Sequence, residues 1–331
     1  MVDTHHPKRG SQAFSPRKRA SEPLARFRSW PDDGPQATVQ GFTGFKAGMT
    51  HVMLVDYRPT STTSGQEVRE AVTVLEVPPM GVAGVRAYRE TPYGLKAENE
   101  VWAEDVDDEL DERVHLSDKR VGTIDDFDRD RVDEVRLITY NKPYEVTALD
   151  RKVPDVTEMR VGGGEVDERL ELASDLLGTD LDITDVADAG RMLDVAAVTK
   201  GKGLQGSVKR WGVKLQSHKN SKNRRDASPL GPFQPRFIRP QVPLPGQMGF
   251  HQRTELNKRL LMVGEDPEEI NPDGGFVRYG EVSNPFALLH GTTPGPSTRP
   301  VSLRHALRYE EGVEVEKPNV TYISTASKQG R

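Results

Sequence analysis

The residues best suited to chemistry lie in a glycine-rich run that reads KGKGLQG from Lys200 to Gly206. The run lacks the Gly-Lys-Ser/Thr ending of a nucleotide-binding P-loop. Gly206 and Gly212 argue against the helix that a dinucleotide-binding fingerprint needs. Glycine lets a backbone approach a phosphate closely, and the two lysines add positive charge. The run therefore indicates contact with phosphates, and a plain glycine loop remains the alternative.

A histidine and a carboxylate four residues apart, His251 and Glu255, form the second candidate. Such a pair can transfer protons, but no nucleophile motif and no sign of an apolar pocket accompanies it. Contact with RNA or with backbone groups is therefore the favoured role of His251. His5 and His6 are adjacent in the amino-terminal arm, and His218, His290 and His305 are dispersed without ligand spacing. The chain has no cysteine, so we expect no metal site and no cofactor.

Both candidates lie in a strongly basic segment of a chain whose net charge is −5. Residues 199–259 contain 14 Lys or Arg and two acidic residues, and residues 1–30 contain seven and two. Residues 98–134 and 155–194 carry net charges of −11 and −9. Such a concentration of positive charge in an acidic chain indicates a polyanionic partner. The Asp-rich, Lys-poor acidic stretches also suggest a salt-adapted source.

The elements that would position these residues are mostly strands. Residues 39–55, 70–77 and 82–88 are predicted to be short, closely spaced strands, which favours a small β-barrel. An acidic insertion near 80–155 is expected to contain one or two short helices, and 166–177 has the spacing of a helix. The chain has neither an apolar run long enough to span a membrane nor a secretory signal, and we expect it to be cytoplasmic.

The predicted fold is therefore mainly β with an α insertion, and four segments make up the chain. Residues 1–38 form an amino-terminal basic extension, and 39–205 form the first part of the barrel with the acidic insertion. Residues 206–253 form a central basic extension loop, and 254–331 supply the closing strands. Neither extension shows a helical or alternating apolar period, so both are expected to be extended.

Several of these stretches together resemble the large-subunit ribosomal protein L-three family. The resemblance is strongest at 199–212, which reads TKGKGLQGSVKRWG, and at 246–258, which reads GQMGFHQRTELNK. Residues 41–50 resemble the first strands of the family, and 273–282 and 291–296 resemble its closing strands. The match is collinear over nearly the whole chain. The long amino-terminal arm and the insertion resemble the archaeal and eukaryotic branch.

The resemblance implies a structural constituent of the large ribosomal subunit that binds ribosomal RNA (rRNA) and supports subunit assembly, with no enzymatic activity. It implies a translation-protein-type β-barrel body and two long extended basic arms that enter the rRNA, the central loop reaching toward the peptidyl-transferase centre. The expected partners are large-subunit rRNA and neighbouring ribosomal proteins, in the cytoplasm, with no membrane and no small-molecule substrate. The alternative is an RNA-modifying enzyme with basic substrate-binding arms, which would need a catalytic carboxylate or nucleophile in a pocket.

We expect rRNA contacts from basic and aromatic side chains of the two arms and from the adjoining strand. They are Arg17, Lys18, Arg19, Arg26, Arg28, Lys200, Lys202, Lys209, Arg210, Trp211, Arg224, Arg225, Phe233, Arg236, Arg239, His251, Arg253, Lys258 and Arg259. Two positions depart from the family. Lys209 stands where eukaryotic members have a modified histidine. Phe233 stands at the loop tip where relatives have tryptophan, which keeps an aromatic face for stacking but loses the indole N–H donor.

Overall fold

A computed structural model describes residues 9–31, 34–115, 119, 121–124, 127–226, 230–234, 236–309 and 317–327. Contacts divide the chain into two units. The basic unit comprises residues 1–22 and 198–252, and the body comprises residues 23–197 and 253–331. The basic unit has 16 Lys or Arg and three acidic residues, a net charge of +13, whereas the body has 30 and 48, a net charge of −18.

The protein is mainly β with few helices. The strands are β1 (Thr38–Val39), β2 (Gly41–Val55), β3 (Glu67–Glu76), β4 (Met80–Thr91), β5 (Gly94–Trp102), β6 (Glu134–Tyr140), β7 (Val156–Gly162), β8 (Asp180–Leu181), β9 (Met192–Val198), β10 (Leu204–Gln205), β11 (Gly246–Gln247), β12 (Gln252–Gly264), β13 (Phe286–His290), β14 (Pro300–His305) and β15 (Val320–Ile323). The α-helices are α1 (Val166–Leu176), α2 (Ile183–Val186) and α3 (Ser207–Trp211). Single turns of 3₁₀-helix occur at Gln12–Phe14, Asp108–Leu110, Arg129–Arg131, Pro143–Glu145 and Pro267–Glu269. No helix in the described part of the chain is long and apolar enough to cross a membrane.

One sheet of the body has the strand order β14-β9-β12-β13-β3-β2-β15. Strand β14 also pairs with β2, so the order of pairing returns to its start. Successive residues of a strand point to opposite faces, and on β13 residues of both faces are buried. On β13, Ala287 and Leu289 belong to one apolar cluster, and Phe286 and Leu288 pack in a second cluster with Phe276.

The second sheet of the body has the order β1-β7-β6-β4-β5, and β8 pairs with β4. Its apolar face carries Val85, Leu137 and Val161, which lie in one cluster with Leu170 and Ala173 of α1. This placement follows the helical spacing predicted at 166–177. The outer strand β5 is mostly exposed, since seven of its nine residues are not buried.

The acidic insertion differs from the sequence-based expectation. Residues 94–102 form β5, and 3₁₀ turns at Asp108–Leu110 and Arg129–Arg131 take the place of the expected α-helices among the described residues. Only Leu110 is buried in the first of these turns. Val106, Leu110 and Val114 recur at helical spacing in one apolar cluster, but like charges at the same spacing, such as Asp108 and Glu112, oppose a longer helix. Residues 274–282 also form turns around an isolated bridge between Phe276 and Gly280 rather than an extended strand.

Residues 23–31, which the sequence analysis includes in the amino-terminal extension, group with the body. Leu24, Ala25 and Trp30 are buried. The hydroxyl of Ser302 donates to the carbonyl of Ala25 at 2.6 Å, and the Arg304 guanidinium lies 4.5 Å from the ring centroid of Phe27. Phe27 and Trp30, which stand close to Arg26 and Arg28 in the sequence, therefore complete the packing of the body.

Candidate nucleic-acid interface

The glycine-rich run is held by backbone hydrogen bonds within the basic unit. The amide of Lys202 donates to Met248 O at 2.9 Å, and the amide of Met248 donates to Gly203 O at 2.9 Å. Strands β10 and β11 continue this pairing. Gly249 has φ +70°, and a Cβ placed there would lie 2.0 Å from Lys200 O. The glycines thus let two backbone segments meet, and the side chains of Lys200 and Lys202 remain exposed.

The short helix α3 follows this run, which corrects the expectation that Gly206 and Gly212 prevent a helix. Gly206 precedes the first helical residue, and Gly212 ends the helix with φ +64°. A left-handed glycine is a common helix end because it has no Cβ to clash. The two glycines therefore bound a helix of five residues, and its last turn carries Lys209 and Arg210.

Trp211 packs inside the basic unit. Its indole Nε1 donates to Leu244 O at 2.8 Å, and its ring lies 4.2 Å from the guanidinium carbon of Arg17 and 5.1 Å from that of Arg210. Arg210 also donates to Leu244 O and to Gln247 O, both at 3.0 Å. The signature Arg-Trp dipeptide thus joins α3 to 244–247 and to the amino-terminal segment.

The two guanidinium groups at Trp211 create a site of concentrated positive charge. Burial and the charge of Arg17 lower the pKa of Arg210. Neither guanidinium has a carboxylate partner among the described residues; Arg17 donates to the Ser11 carbonyl at 3.0 Å and to the Ser15 hydroxyl at 3.5 Å. An anion placed near both would relieve their repulsion, and a phosphate suits the planar donors of arginine.

His251 is buried and ties the amino-terminal segment to the central one. Its Nδ1 lies 2.8 Å from Lys18 O, so Nδ1 carries the proton and donates. Its amide donates to Thr199 Oγ1 at 3.2 Å, and Ala20 N donates to Phe250 O at 2.8 Å beside it. These contacts give His251 the role of bonding to backbone groups, which was expected as the alternative to RNA contact.

Ten members of the expected set are exposed on the basic unit. They are Lys18, Arg19, Lys200, Lys202, Lys209, Arg224, Arg225, Phe233, Arg236 and Arg239. The ring of Phe233 is 78% exposed, and the guanidinium carbon of Arg236 lies 5.1 Å from its centroid. Phe237, Ile238 and Leu230 are also exposed, although the sequence analysis did not single them out. Isolated apolar residues in a polar run carry no periodic signal, so their exposure could not be foreseen.

The remaining expected residues belong to the body. Arg26 and Arg28 are exposed, and Arg253, Lys258 and Arg259 on β12 are partly buried. Lys258 forms an ion pair with Glu255 at 2.7 Å. This ion pair occupies the Glu255 carboxylate, which would have to exchange protons with His251 if the pair acted as an acid and a base. Among the described residues, no three His, Cys, Asp or Glu side chains are grouped so that they could hold a metal ion.

Comparison with known proteins gives a consistent result over the full chain. The family model described as ribosomal protein L3 matches residues 1–330. The chain is 47% identical over 331 residues to the large ribosomal subunit protein uL3 of Archaeoglobus fulgidus, with 99% of each sequence covered. It is 46% identical to that of Natronomonas pharaonis over 339 residues, with both sequences fully covered, and 43% identical to that of Methanocaldococcus jannaschii over 336 residues, covering 100% of the chain and 99% of the relative.

Proposed function

The chain belongs to the ribosomal protein L3 family, and we propose that its basic unit is the part that binds large-subunit rRNA. The protein is a structural constituent of the large ribosomal subunit and not an enzyme. Its partners are large-subunit rRNA and the neighbouring ribosomal proteins, and its place is in the ribosome of the cytoplasm.

The observation that carries the proposal is the separation of charge between the two units. The basic unit has a net charge of +13, and the body has a net charge of −18. Contacts with phosphate oxygens supply much of the affinity of RNA-binding proteins, and they require clustered lysine and arginine. Only the basic unit offers such an excess, so it is the part suited to lie against rRNA.

The chemistry of the individual side chains supports two kinds of contact. Arg17 and Arg210, which lack carboxylate partners among the residues described, are suited to phosphate. Phe233 and the exposed apolar residues beside it are suited to stack and pack against unpaired bases. The central segment around Phe233 is the part that the family resemblance directs toward the peptidyl-transferase centre.

We further propose that the body is a closed β-barrel. The pairing of β14 with both β9 and β2 supports this arrangement, since six strands then follow one another without a free edge. The amino-terminal and central segments would then act as the two arms, ordered further by the rRNA itself.

Binding of the full chain to purified large-subunit rRNA at several salt concentrations tests the proposed function. Arg224→Gln/Arg225→Gln removes two exposed charges of the basic unit. We expect weaker binding at every salt concentration. The slope of log affinity against log salt should fall by about 1.4 to 1.8, which corresponds to two phosphate contacts.

The matched control Arg69→Gln/Arg308→Gln removes two exposed arginines of the body. This variant should bind large-subunit rRNA nearly as tightly as the unchanged chain does. As a second control, the unchanged chain should bind small-subunit rRNA less tightly than large-subunit rRNA. Equal losses in the two double variants would contradict the assignment of rRNA binding to the basic unit.

A further inference from the structure

The hairpin between β4 and β5 projects beyond the rest of its sheet. The two strands pair as far as Thr91 and Gly94, but β6 accompanies β4 only to Tyr88, which pairs with Glu134. Residues 89–96 therefore form a two-stranded tip joined by the turn Pro92-Tyr93. This tip is distinct from the residues that the proposed rRNA interface uses.

The turn holds one aromatic side chain fully in solvent. The Thr91 hydroxyl donates to Gly94 O at 2.6 Å and accepts from the Tyr93 amide at 3.3 Å. The ring of Pro92 fixes its own φ just before Tyr93. Tyr93 is 101% exposed, and Leu95 is 44% exposed. A tyrosine on a fixed turn loses little conformational entropy when it contacts a partner, since only two side-chain torsions must be ordered.

Two cations lie directly opposite each other on the same hairpin. Arg89 pairs in register with Lys96, and both are exposed. Like charges in this position destabilise a strand pair. Neither side chain has an ion pair within the described residues. Glu90 pairs with Leu95 in the adjacent position and therefore points to the opposite face of the hairpin.

Two other carboxylates beside the hairpin have partners of their own. Glu98 forms an ion pair with Arg131 at 3.7 Å, and Asp133 accepts from the amide of Glu90 at 2.6 Å. Arg89 and Lys96 thus face each other without an ion pair among the described residues, although the net charge of the body is −18. An anionic partner would remove the repulsion that the fold leaves in place.

We propose that the tip of this hairpin, residues 89–96, is a separate RNA-binding site in the acidic body. Arg89 and Lys96 contact backbone phosphates, and Tyr93 stacks on an unpaired base. Adjacent cations and an exposed aromatic ring are the combination that binds single-stranded RNA. The inference rests on the proposed function, because rRNA is the polyanion that a constituent of the large subunit meets.

The test measures salt-dependent binding of the full chain to purified large-subunit rRNA. Tyr93→Ala should weaken binding about tenfold, the size of one lost base stack. Arg89→Gln/Lys96→Gln should lower the slope of log affinity against log salt by about 1.4 to 1.8. The double variant should unfold at a temperature no lower than that of the unchanged chain, since a repulsive cross-strand pair is removed.

The charge-matched control is Arg69→Gln/Lys317→Gln, which removes one exposed arginine and one exposed lysine elsewhere in the body. Ultraviolet cross-linking of purified large subunits supplies the second readout, in which the peptide containing Tyr93 should carry a nucleotide adduct. A cross-link from Tyr93 to a protein, or hairpin variants that bind as the control does, would overturn the inference. Failure of the unchanged chain to bind rRNA would instead overturn the proposed function.

Discussion

His305 illustrates how one residue is fixed in a single protonation state by its contacts. The residue is 2% exposed, and its Nε2 lies 2.8 Å from Val186 O while its Nδ1 lies 3.1 Å from Arg191 Nη2. A carbonyl only accepts, so Nε2 carries the proton and Nδ1 accepts from Arg191. Burial, with Arg191 nearby, lowers the pKa of His305 from 6.5 to about 4.

A prediction about pH follows for the stability of the isolated protein. Below pH 6.5 the unfolded chain binds a proton at His305 that the folded chain binds only near pH 4, so stability falls as the pH drops through this window. The loss from this residue reaches about 3 kcal/mol. Urea unfolding at pH 7, 5.5 and 4 measures it.

The variant His305→Gln serves as the comparison, because its amide can still donate to Val186 O but does not titrate. We expect a smaller fall in stability for this variant over the same pH range. His290→Gln is the matched control, since His290 is 47% exposed and pairs with Glu70 on the surface. Parallel pH profiles for the unchanged chain and for His305→Gln would contradict the account of His305.

Residues of the expected interface also show what a sequence can and cannot disclose. The excess of Lys and Arg near Arg224 is visible in the sequence, and the structure leaves that side chain exposed. The contact between the Arg17 guanidinium and the Trp211 ring could not be predicted from the sequence, because the two residues are nearly two hundred positions apart. No local period or propensity reports such a contact.

At the scale of elements, helix α3 and the amino-terminal segment stabilise each other. The Arg17 guanidinium contacts Trp211 at the end of α3, and Lys18 O accepts from His251. A helix of five residues has little stability of its own, so its order depends on these contacts. The amides of Arg210 and Gly212, which donate to Gly206 O and Val208 O, report that order.

A pair of substitutions tests this coupling between elements. Arg17→Gln removes the cation beside Trp211, whereas Lys18→Gln removes an equal charge but leaves the backbone carbonyl that His251 uses. A cation–π contact contributes about 1 kcal/mol. In the isolated protein, hydrogen exchange at the amides of Arg210 and Gly212 should therefore be about fivefold faster in Arg17→Gln. Equal exchange in the two variants would refute the coupling.

Several strands and one helix could be predicted from the sequence. Strands β2, β3 and β4 cover most of residues 39–55, 70–77 and 82–88, which were predicted to be strands. The helix expected at 166–177 is α1, because Leu170 and Ala173 repeat at helical spacing. In the acidic insertion, Leu110 and Val114 have the same spacing, but the surrounding like charges oppose an α-helix. The sequence also gave no sign that residues 23–31 pack with the body, since Leu24 and Trp30 stand among prolines and arginines.

At the scale of the whole molecule, the net charge of −5 conceals two units of opposite sign. Carboxylates predominate in the body, and cations predominate in residues 1–22 and 198–252. The two large apolar clusters lie in the body. The central segment has few buried side chains, so its order in the ribosome should come from contacts with rRNA.

The central claim, that rRNA covers the basic unit, is tested most directly by trypsin digestion. Residues 214–236 contain six Lys and Arg residues that are not followed by proline, and all six are exposed in the protein alone. We expect rapid cleavage at these sites in the isolated chain and strong protection of the same sites in purified large subunits. Cleavage at the same rate in both samples would contradict the claim, because rRNA would then leave the segment uncovered.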